Sequence, residues 1–377
     1  MKVLCVFGTR PEAIKMAPVA MELKRRSKQI ETVICITAQH REMLDQVLNL
    51  FNIQPDIDLN LMEENQTLPE LTSRVLLTMN EVLQQVKPHW VLIQGDTTTV
   101  LATALAAFYL KIPIGHVEAG LRTQDRYNPF PEEINRRLVG ALSTFHFAPT
   151  ERAKRVLLKE GISADMIFVT GNTIVDALYW ILEQPPSPLS KQLFQKLGLQ
   201  GYTDRKLILV TAHRRESFGS PMESLCRGLR KLVERNKDVV LVYPVHKNPN
   251  VQKTVWKILG GYDRILLIEP LPYEPFIRLM EKSDLILTDS GGIQEEAPVL
   301  GKPVLVLRKR TERPEIIEAG VGKLVGTDED RIVQEVEHLL RSEEAYRSMA
   351  RAGSIFGDGR AAERIVNILM TKGISNA

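Results

Sequence analysis

The chain has 377 residues, with 49 Lys and Arg against 46 Asp and Glu and a formal net charge of +3. This length favours two domains, because single hydrophobic cores usually stop growing at about 250–300 residues. A composition of 44% hydrophobic and 25% charged residues is typical of a globular protein, and the balanced charge provides no basic face for binding nucleic acid.

The three cysteines are too few to form a disulfide framework and show neither a CxxC pair nor a zinc-site spacing. The apolar run at 3–7 is too short for a signal-peptide core, and no other run approaches the length of a membrane span. We therefore expect a cytoplasmic protein with no metal site and no membrane partner.

The first half of the chain predicts alternating strands and helices, which is the pattern of a parallel sheet covered on both faces. Four short β-branched runs predict buried strands: 3–7, 33–37, 90–94 and 112–117. Four longer stretches have helical length and apolar spacing: 13–24, 41–51, 68–86 and 97–110.

A dense proline cluster at 184–188 indicates a domain linker, since proline fits neither a helix interior nor the middle of a sheet. Strand-like runs then resume: 207–211, 239–243, 265–268, 285–288 and 304–307. The pattern predicts two doubly wound, Rossmann-like α/β domains facing each other across a cleft. We expect them at 1–183 and 184–360, followed by a C-terminal helix within 361–377 that can pack back on the first domain.

Ligands of open parallel sheets bind beyond the carboxyl ends of the strands, so the residues just after each strand are the candidates for a site. The first strand is followed by Arg10, with Lys15 in the next helix. Arginine is a poor helix cap, and its position at a helix N-terminus suggests that it faces an anion such as a phosphate. A surface ion pair with Glu12 is the alternative.

Carboxylates follow the next two strand ends. Asp96 follows the run at 90–94, and Glu118 follows the run at 112–117, next to glycine. Glu132 and Arg136 then open another helix at i,i+4 spacing. Capping accounts equally well for Asp96, and an ordinary helical ion pair for Glu132 and Arg136. On the residues alone, a catalytic role for Glu132 lacks support.

The second half carries cations and small residues at its strand ends. His213 is followed by two arginines, a set that could bind a diphosphate, although a solvated basic turn is the alternative. His246 also follows a strand. The run Ser290-Gly291-Gly292 opens a helix and would let a phosphate approach backbone N–H groups, while Glu296 could accept hydrogen bonds from a ribose.

Several familiar motifs are absent from the sequence: GxGxxG after a strand, GxxxxGK[ST], HExxH and GxSxG. Their absence disfavours a nicotinamide dehydrogenase, a P-loop NTPase, a zinc protease and an α/β-hydrolase. The residues together indicate an enzyme that holds a nucleotide sugar and performs acid–base chemistry on the sugar.

The motifs of this chain, in this order, resemble those of the bacterial non-hydrolysing UDP-N-acetylglucosamine 2-epimerases over nearly the whole length. The matching segments are GTRPEAIKMAP at 8–18, AQHREMLDQ at 38–46, GDTTT at 95–99, HVEAGLRT at 116–123, PEEINRR at 131–137, AHRRES at 212–217, DSGGIQEEAP at 289–298 and TERPE at 311–315.

This resemblance implies a GT-B-type fold, a homodimer and no redox cofactor. It implies reversible conversion of UDP-GlcNAc into UDP-ManNAc, which supplies ManNAc donors for cell-surface polysaccharides. The mechanism it implies is removal of the C2 proton with loss of UDP from C1, a bound 2-acetamidoglucal, and re-addition of UDP with protonation of the opposite face of C2.

The resemblance also implies the roles of individual residues. The catalytic positions are Asp96, Glu118, Glu132, Arg136 and His213. The positions that hold UDP are Arg10, Lys15, Phe276, Ser290, Gly291, Gly292, Glu296 and Arg313. Activation by a second UDP-GlcNAc is implied through Gln39, His40 and His246. The sequence does not show which of the three carboxylates acts on which face of C2.

Three alternatives stay open beside the non-hydrolysing epimerase. A hydrolysing 2-epimerase would release UDP and free ManNAc, a GT-B glycosyltransferase would need an acceptor, and a UDP-sugar-binding protein would leave the carboxylates idle. The acids at 96, 118 and 132 fit chemistry at C2 better than glycosyl transfer.

Overall fold

The computed structural model describes residues 1–37, 41–61, 63, 66–199, 205–351, 353 and 355–373. The chain forms two compact units. Unit 1 contains Met1–Trp180 and the chain from Phe356 onward, and unit 2 contains Ile181–Ile355.

Unit 1 is built on a parallel sheet of seven strands in the order β3-β2-β1-β4-β5-β6-β7. Its strands are β1 Lys2–Phe7, β2 Glu31–Ile36, β3 Ile57–Asp58, β4 Trp90–Gln94, β5 Ile114–Val117, β6 Phe145–Ala148 and β7 Ile167–Val169. Its helices are α1 Arg10–Arg25, α2 Arg41–Leu50, α3 Leu68–Val86, α4 Thr98–Tyr109, α5 Glu132–Leu142, α6 Glu151–Lys159, most of α7 Thr173–Glu183, and α16 Ala361–Lys372.

Unit 2 is built on a parallel sheet of six strands in the order β10-β9-β8-β11-β12-β13. Its strands are β8 Lys206–Thr211, β9 Val239–Pro244, β10 Ile265–Ile268, β11 Leu285–Thr288, β12 Val304–Val306 and β13 Gly322–Leu324. Its helices are α8 Pro188–Lys196, α9 Ser220–Arg235, α10 Pro249–Leu259, α11 Tyr273–Lys282, α12 Gly291–Val299, α13 Pro314–Glu318, α14 Glu329–Arg341 and α15 Glu343–Met349.

The two doubly wound parallel sheets confirm the predicted fold class. Strands β1, β4 and β8 have apolar interiors, with polar residues only at their ends, because both faces of each sheet are covered by helices. The runs 90–94 and 68–86 coincide with β4 and α3, whereas β5 begins two residues later than predicted, at Ile114.

The boundary between the units falls inside α7, between Trp180 and Ile181. The proline cluster therefore lies within unit 2, where Pro188 starts α8 and the Ser187 hydroxyl accepts the Ser190 N–H at 3.1 Å. Proline suits this first helical position, because the N–H that it lacks would have no partner within the helix.

The C-terminal helix α16 packs on α1 in unit 1. The buried Asp176 carboxylate accepts the N–H groups of Ala361 and Ala362, at 3.2 and 2.8 Å, and so ties the start of α16 to α7. Burial raises the pKa of Asp176 to about 6. The Trp90 indole N–H donates to the Gly373 carbonyl at 3.2 Å and ties the other end of the helix to β4.

Close packing under the first sheet requires glycine at one turn. Gly120 has a φ of +91°, and a Cβ there would lie 2.5 Å from the Ala153 carbonyl oxygen on α6. Among the residues that the structure describes, no helix is long and apolar enough to cross a bilayer.

Candidate active site

The first turn of α1 is closed by a buried carboxylate rather than by Arg10. Thr9 is the N-cap and forms a capping box with Glu12, whose Oε2 accepts the N–H groups of Gly8 and Thr9, each at 2.7 Å. Burial raises the pKa of Glu12. Arg10 is therefore the first residue of the helix and not its cap, which agrees with the expectation that arginine caps poorly.

Glu118 lies just past the end of β5 and has a left-handed backbone conformation, with a φ of +62°. The residue is 3% exposed. Its Oε1 accepts Lys15 Nζ at 2.5 Å and Asn172 Nδ2 at 3.1 Å, and its Oε2 accepts Gln94 Nε2 at 2.5 Å. Lys15 thus pairs with this carboxylate in the structure, and all three side chains donate to its two oxygens.

Arg136 of α5 joins Asp96 to Glu118. Its Nη2 and Nε donate to Asp96 Oδ2 at 2.6 and 3.1 Å, and its Nη1 donates to the Glu118 carbonyl oxygen. Its Nη2 also lies 3.7 Å from Glu118 Oε2. The structure therefore brings two of the predicted carboxylates together around one buried guanidinium.

Asp96 is not a helix cap, since the cap of α4 is the next residue, Thr97, whose hydroxyl accepts the Val100 N–H at 3.3 Å. The Asp96 backbone carbonyl accepts the Asn135 side-chain amide at 2.9 Å. The Asp96 side chain retains 26% exposure, so it can reach a ligand. Glu132, the third predicted carboxylate, is half-buried and is the first residue of α5, one turn before Arg136.

Strand-end reasoning missed three residues around Glu118. Gln94 ends β4 and could have been included by the strand-end rule, whereas nothing in the local sequence marks Asn172 as a partner of Glu118. His116 is fully buried on β5, with Nε2 2.8 Å from the Gly95 carbonyl oxygen. Burial, reinforced by Arg136, holds the pKa of His116 well below its usual range, so this imidazole is neutral.

In unit 2 the turn after β8 is organised by a fully buried carboxylate that sequence reasoning did not select. Asp289 Oδ2 accepts the N–H groups of His213 and Arg214, at 2.6 and 2.7 Å, and its Oδ1 lies 3.4 Å from His213 Nδ1. Burial, together with nearby Arg214 and His246, lowers the pKa of His213 against the opposing effect of Asp289.

His246 is exposed and stacks on His213, with ring centroids 5.1 Å apart and an interplanar angle of 13°. His246, which is predicted to be regulatory, therefore contacts His213, which is predicted to be catalytic. Gln39 and His40, the other two predicted regulatory residues, lie outside the described residues.

The start of α12 has the geometry of an anion site. The Ser290 side chain makes no cap hydrogen bond, and a Cβ on Gly291 would lie 3.5 Å from the Arg313 guanidinium carbon. Arg313 Nε donates to the buried Glu295 at 2.5 Å, which fixes the guanidinium beside the helix start. Helix N–H groups, glycine and a held arginine together suit a phosphate.

The remaining predicted UDP contacts occupy neighbouring elements. Glu296 lies in α12, and its Oε1 accepts the Tyr273 hydroxyl of α11 at 2.5 Å. Phe276, half-buried, lies one turn beyond Tyr273 on α11. Arg10, in the first turn of α1, is half-buried in unit 1. Within the described part of the chain, no group of three or more His, Cys, Asp or Glu side chains is arranged to hold a metal ion.

Comparison with known proteins gives consistent matches. The family model described as UDP-N-acetylglucosamine 2-epimerase matches residues 21–370. The chain is 54% identical to the UDP-N-acetylglucosamine 2-epimerase of Escherichia coli K12, over 100% of both chains. It is 52% identical to the Bacillus subtilis enzyme of the same name, over 98% of this chain and 95% of that protein.

Solved structures agree with these matches. The Neisseria meningitidis UDP-GlcNAc 2-epimerase bound to UDP-GlcNAc superposes with a TM-score of 0.93 at 50% identity, covering 99% of this chain and 100% of that one. The Methanocaldococcus jannaschii enzyme in complex with UDP-GlcNAc and UDP gives 0.82 at 36% identity, covering 98% and 99%. With this fold and these matches along its whole length, the chain belongs to the UDP-N-acetylglucosamine 2-epimerase family.

Proposed function

We propose that this chain is a non-hydrolysing epimerase, which interconverts UDP-GlcNAc and UDP-ManNAc by inverting C2 of the sugar. The observation that carries the proposal is the cluster of Asp96, Glu118 and Arg136, two carboxylates at adjacent strand ends joined by one guanidinium. Inversion needs one group to take a proton from C2 and another to return a proton to the opposite face, and carboxylates in a tuned environment perform both tasks.

The reaction balances without a redox cofactor. A base removes the C2 proton, the C1–O bond breaks with its electron pair going to the β-phosphate oxygen of UDP, and C1 and C2 become doubly bonded in 2-acetamidoglucal. UDP then re-forms the C1–O bond while an acid delivers a proton to the other face of C2. Asp96, Glu118 and Glu132 are the candidates for these proton transfers, and Arg136 orients Asp96.

Unit 2 would hold the leaving UDP. The start of α12 with Arg313 suits a phosphate, and Glu296 is placed beside it on the same helix. His213 stays neutral at physiological pH because burial lowers its pKa, so it can donate a hydrogen bond to the departing diphosphate or accept a proton. Retention of UDP until it adds back is what separates this reaction from hydrolysis.

Three further properties remain predictions of the family resemblance: a homodimer, a cytoplasmic location and activation by a second UDP-GlcNAc. For the last, the stacking of His246 on His213 offers a direct physical link between the predicted regulatory and catalytic sets.

The test follows the sugar by NMR in heavy water with UDP-GlcNAc as substrate. We expect UDP-ManNAc with deuterium at C2 and most of the UDP still attached to sugar. Accumulation of free ManNAc and UDP would favour the hydrolysing reaction instead. Absence of C2 exchange would refute both epimerases and leave a transferase or a binding protein.

A matched pair of variants locates the chemistry. Asp96→Asn keeps the shape of the side chain that Arg136 binds but removes its charge, and it should abolish C2 exchange while UDP still binds. Asp125→Asn removes a carboxylate from an exposed turn after β5 and should leave exchange unchanged. Equal exchange rates in the two variants would remove Asp96 from the catalytic set.

A further inference from the structure

Asn172 occupies the loop between β7 and α7 and is 1% exposed. Its side-chain Nδ2 donates to Glu118 Oε1 at 3.1 Å, across 54 residues of sequence. Two other donors to this carboxylate, Lys15 and Gln94, lie on α1 and β4, whereas Asn172 reaches it from a loop on the far side of β7 in the chain.

The orientation of the Asn172 amide is set by the start of α7. Its Oδ1 accepts the N–H of Ile174, in the first turn of that helix, at 3.1 Å. Because the oxygen is held by a backbone donor, the nitrogen faces Glu118. The two ends of this side chain need different chemistry, an acceptor for the helix and a donor for the carboxylate, and asparagine supplies both.

The backbone of Asn172 is anchored where the chain returns to unit 1. Its N–H donates to the Phe356 carbonyl oxygen at 2.6 Å, and Phe356 is the first residue of the returning segment. The neighbouring Gly171 and Gly357 approach so closely that a Cβ on Gly171 would lie 3.1 Å from the Gly357 Cα. The returning segment therefore fixes the position from which Asn172 reaches Glu118.

We propose that Asn172 is a positioning residue for Glu118. Its side-chain amide holds the Glu118 carboxylate, and its own backbone is held by the hydrogen bond to Phe356 in the returning segment. Resting on the proposed function, this means that the geometry of a C2 acid–base group depends on the C-terminal part of the chain. Asn172 itself touches no substrate. Its contribution is the direction of the Glu118 carboxylate and the stability of its anionic form.

Two variants separate positioning from helix capping. Asn172→Ser retains a side-chain oxygen that can accept the Ile174 N–H but is too short to reach Glu118. Asn172→Asp retains the cap and places an acceptor where the donor was, against Glu118. The matched control is Thr67→Ala, which removes the N-cap of α3 in the same unit without touching Glu118.

We expect Asn172→Ser to lower kcat by about 10- to 100-fold, the range of a lost hydrogen bond to a charged group, with KM and UDP affinity within about threefold of wild type. In Asn172→Asp the added negative charge favours protonation of Glu118, so the acid limb of the kcat–pH profile moves to higher pH. Thr67→Ala should lower the thermal midpoint and leave kcat unchanged.

The outcomes are separable. Wild-type protein without C2 exchange in heavy water would overturn the proposed function, and the proposal about Asn172 with it. The positioning role alone would be overturned if the wild type exchanges C2 but kcat of Asn172→Ser is unchanged. A decrease in kcat no larger than that of Thr67→Ala would also overturn it. An unmoved acid limb in Asn172→Asp would overturn it too.

Discussion

Replacing Lys15 by methionine removes the cation that neutralises Glu118 while keeping the length of the side chain. The two groups are 2.5 Å apart, and their side chains are 11% and 2% exposed, so the pair is desolvated. Breaking a buried pair costs about 3–5 kcal/mol, because the remaining charge keeps its desolvation penalty without a partner. Arg136 Nη2 stays 3.7 Å from Glu118, so we take the lower end, about 3 kcal/mol.

For a domain of 150–250 residues this corresponds to a fall of about 6–12 °C in the thermal midpoint, at about 2–4 °C per kcal/mol. The assay is a double-mutant cycle followed by thermal and urea unfolding: wild type, Lys15→Met, Glu118→Gln and the double variant. The double variant carries no charge at either position. Its loss of unfolding free energy should therefore be about 2 kcal/mol smaller than the sum of the losses of the two single variants.

A coupling energy below about 0.5 kcal/mol would refute the assignment of Lys15 to Glu118, because sites that do not interact add within that margin. UDP titration gives a second readout. If Lys15 serves Glu118, Lys15→Met binds UDP nearly as well as wild type. A loss of tenfold or more would assign Lys15 to the nucleotide, as the family resemblance implies.

Three further predictions address the site, the backbone and the pH response. Arg136→Lys keeps the charge but loses the planar fork that binds Asp96, so kcat should fall about 100-fold with UDP affinity little changed; equal kcat would refute the orienting role. Gly120→Ala and Gly161→Ala impose the same left-handed strain, at φ +91° and +88°, but only the first meets a neighbouring atom within 4 Å. Urea unfolding should therefore show that the free energy of unfolding falls by about 1–2 kcal/mol in Gly161→Ala and by clearly more in Gly120→Ala. Equal decreases would contradict the packing argument. Asp176 has its pKa raised from 3.8 to about 6, so its protonation favours the folded state: the stabilisation is complete below pH 3.8 and disappears as pH rises through 6. Asp176→Asn cannot titrate, so the stability of wild type relative to this variant should fall by up to about 3 kcal/mol between pH 4 and 7, and a flat difference would contradict it.

The sequence by itself determined the fold class and the edge of each sheet where the site lies. Apolar runs of strand length alternate with helical periodicity because buried parallel strands and their covering helices need those patterns. Ligands of parallel sheets bind at the carboxyl ends of the strands, so Asp96 and Glu118, which each follow a predicted strand, were candidates from the sequence alone. Arg136 entered the predicted set through the family resemblance, and the structure places it between them.

Only the tertiary structure decided which groups satisfy those carboxylates. Lys15 is 103 residues from Glu118 in sequence and Asn172 is 54 residues away, and no local pattern selects either as its partner. The same holds for Asp289, which organises the His213 turn from 76 residues further along the chain. A buried charge takes whichever donors the packing of distant elements brings within about 3 Å, and that is a property of the assembled sheet edges, not of any one segment.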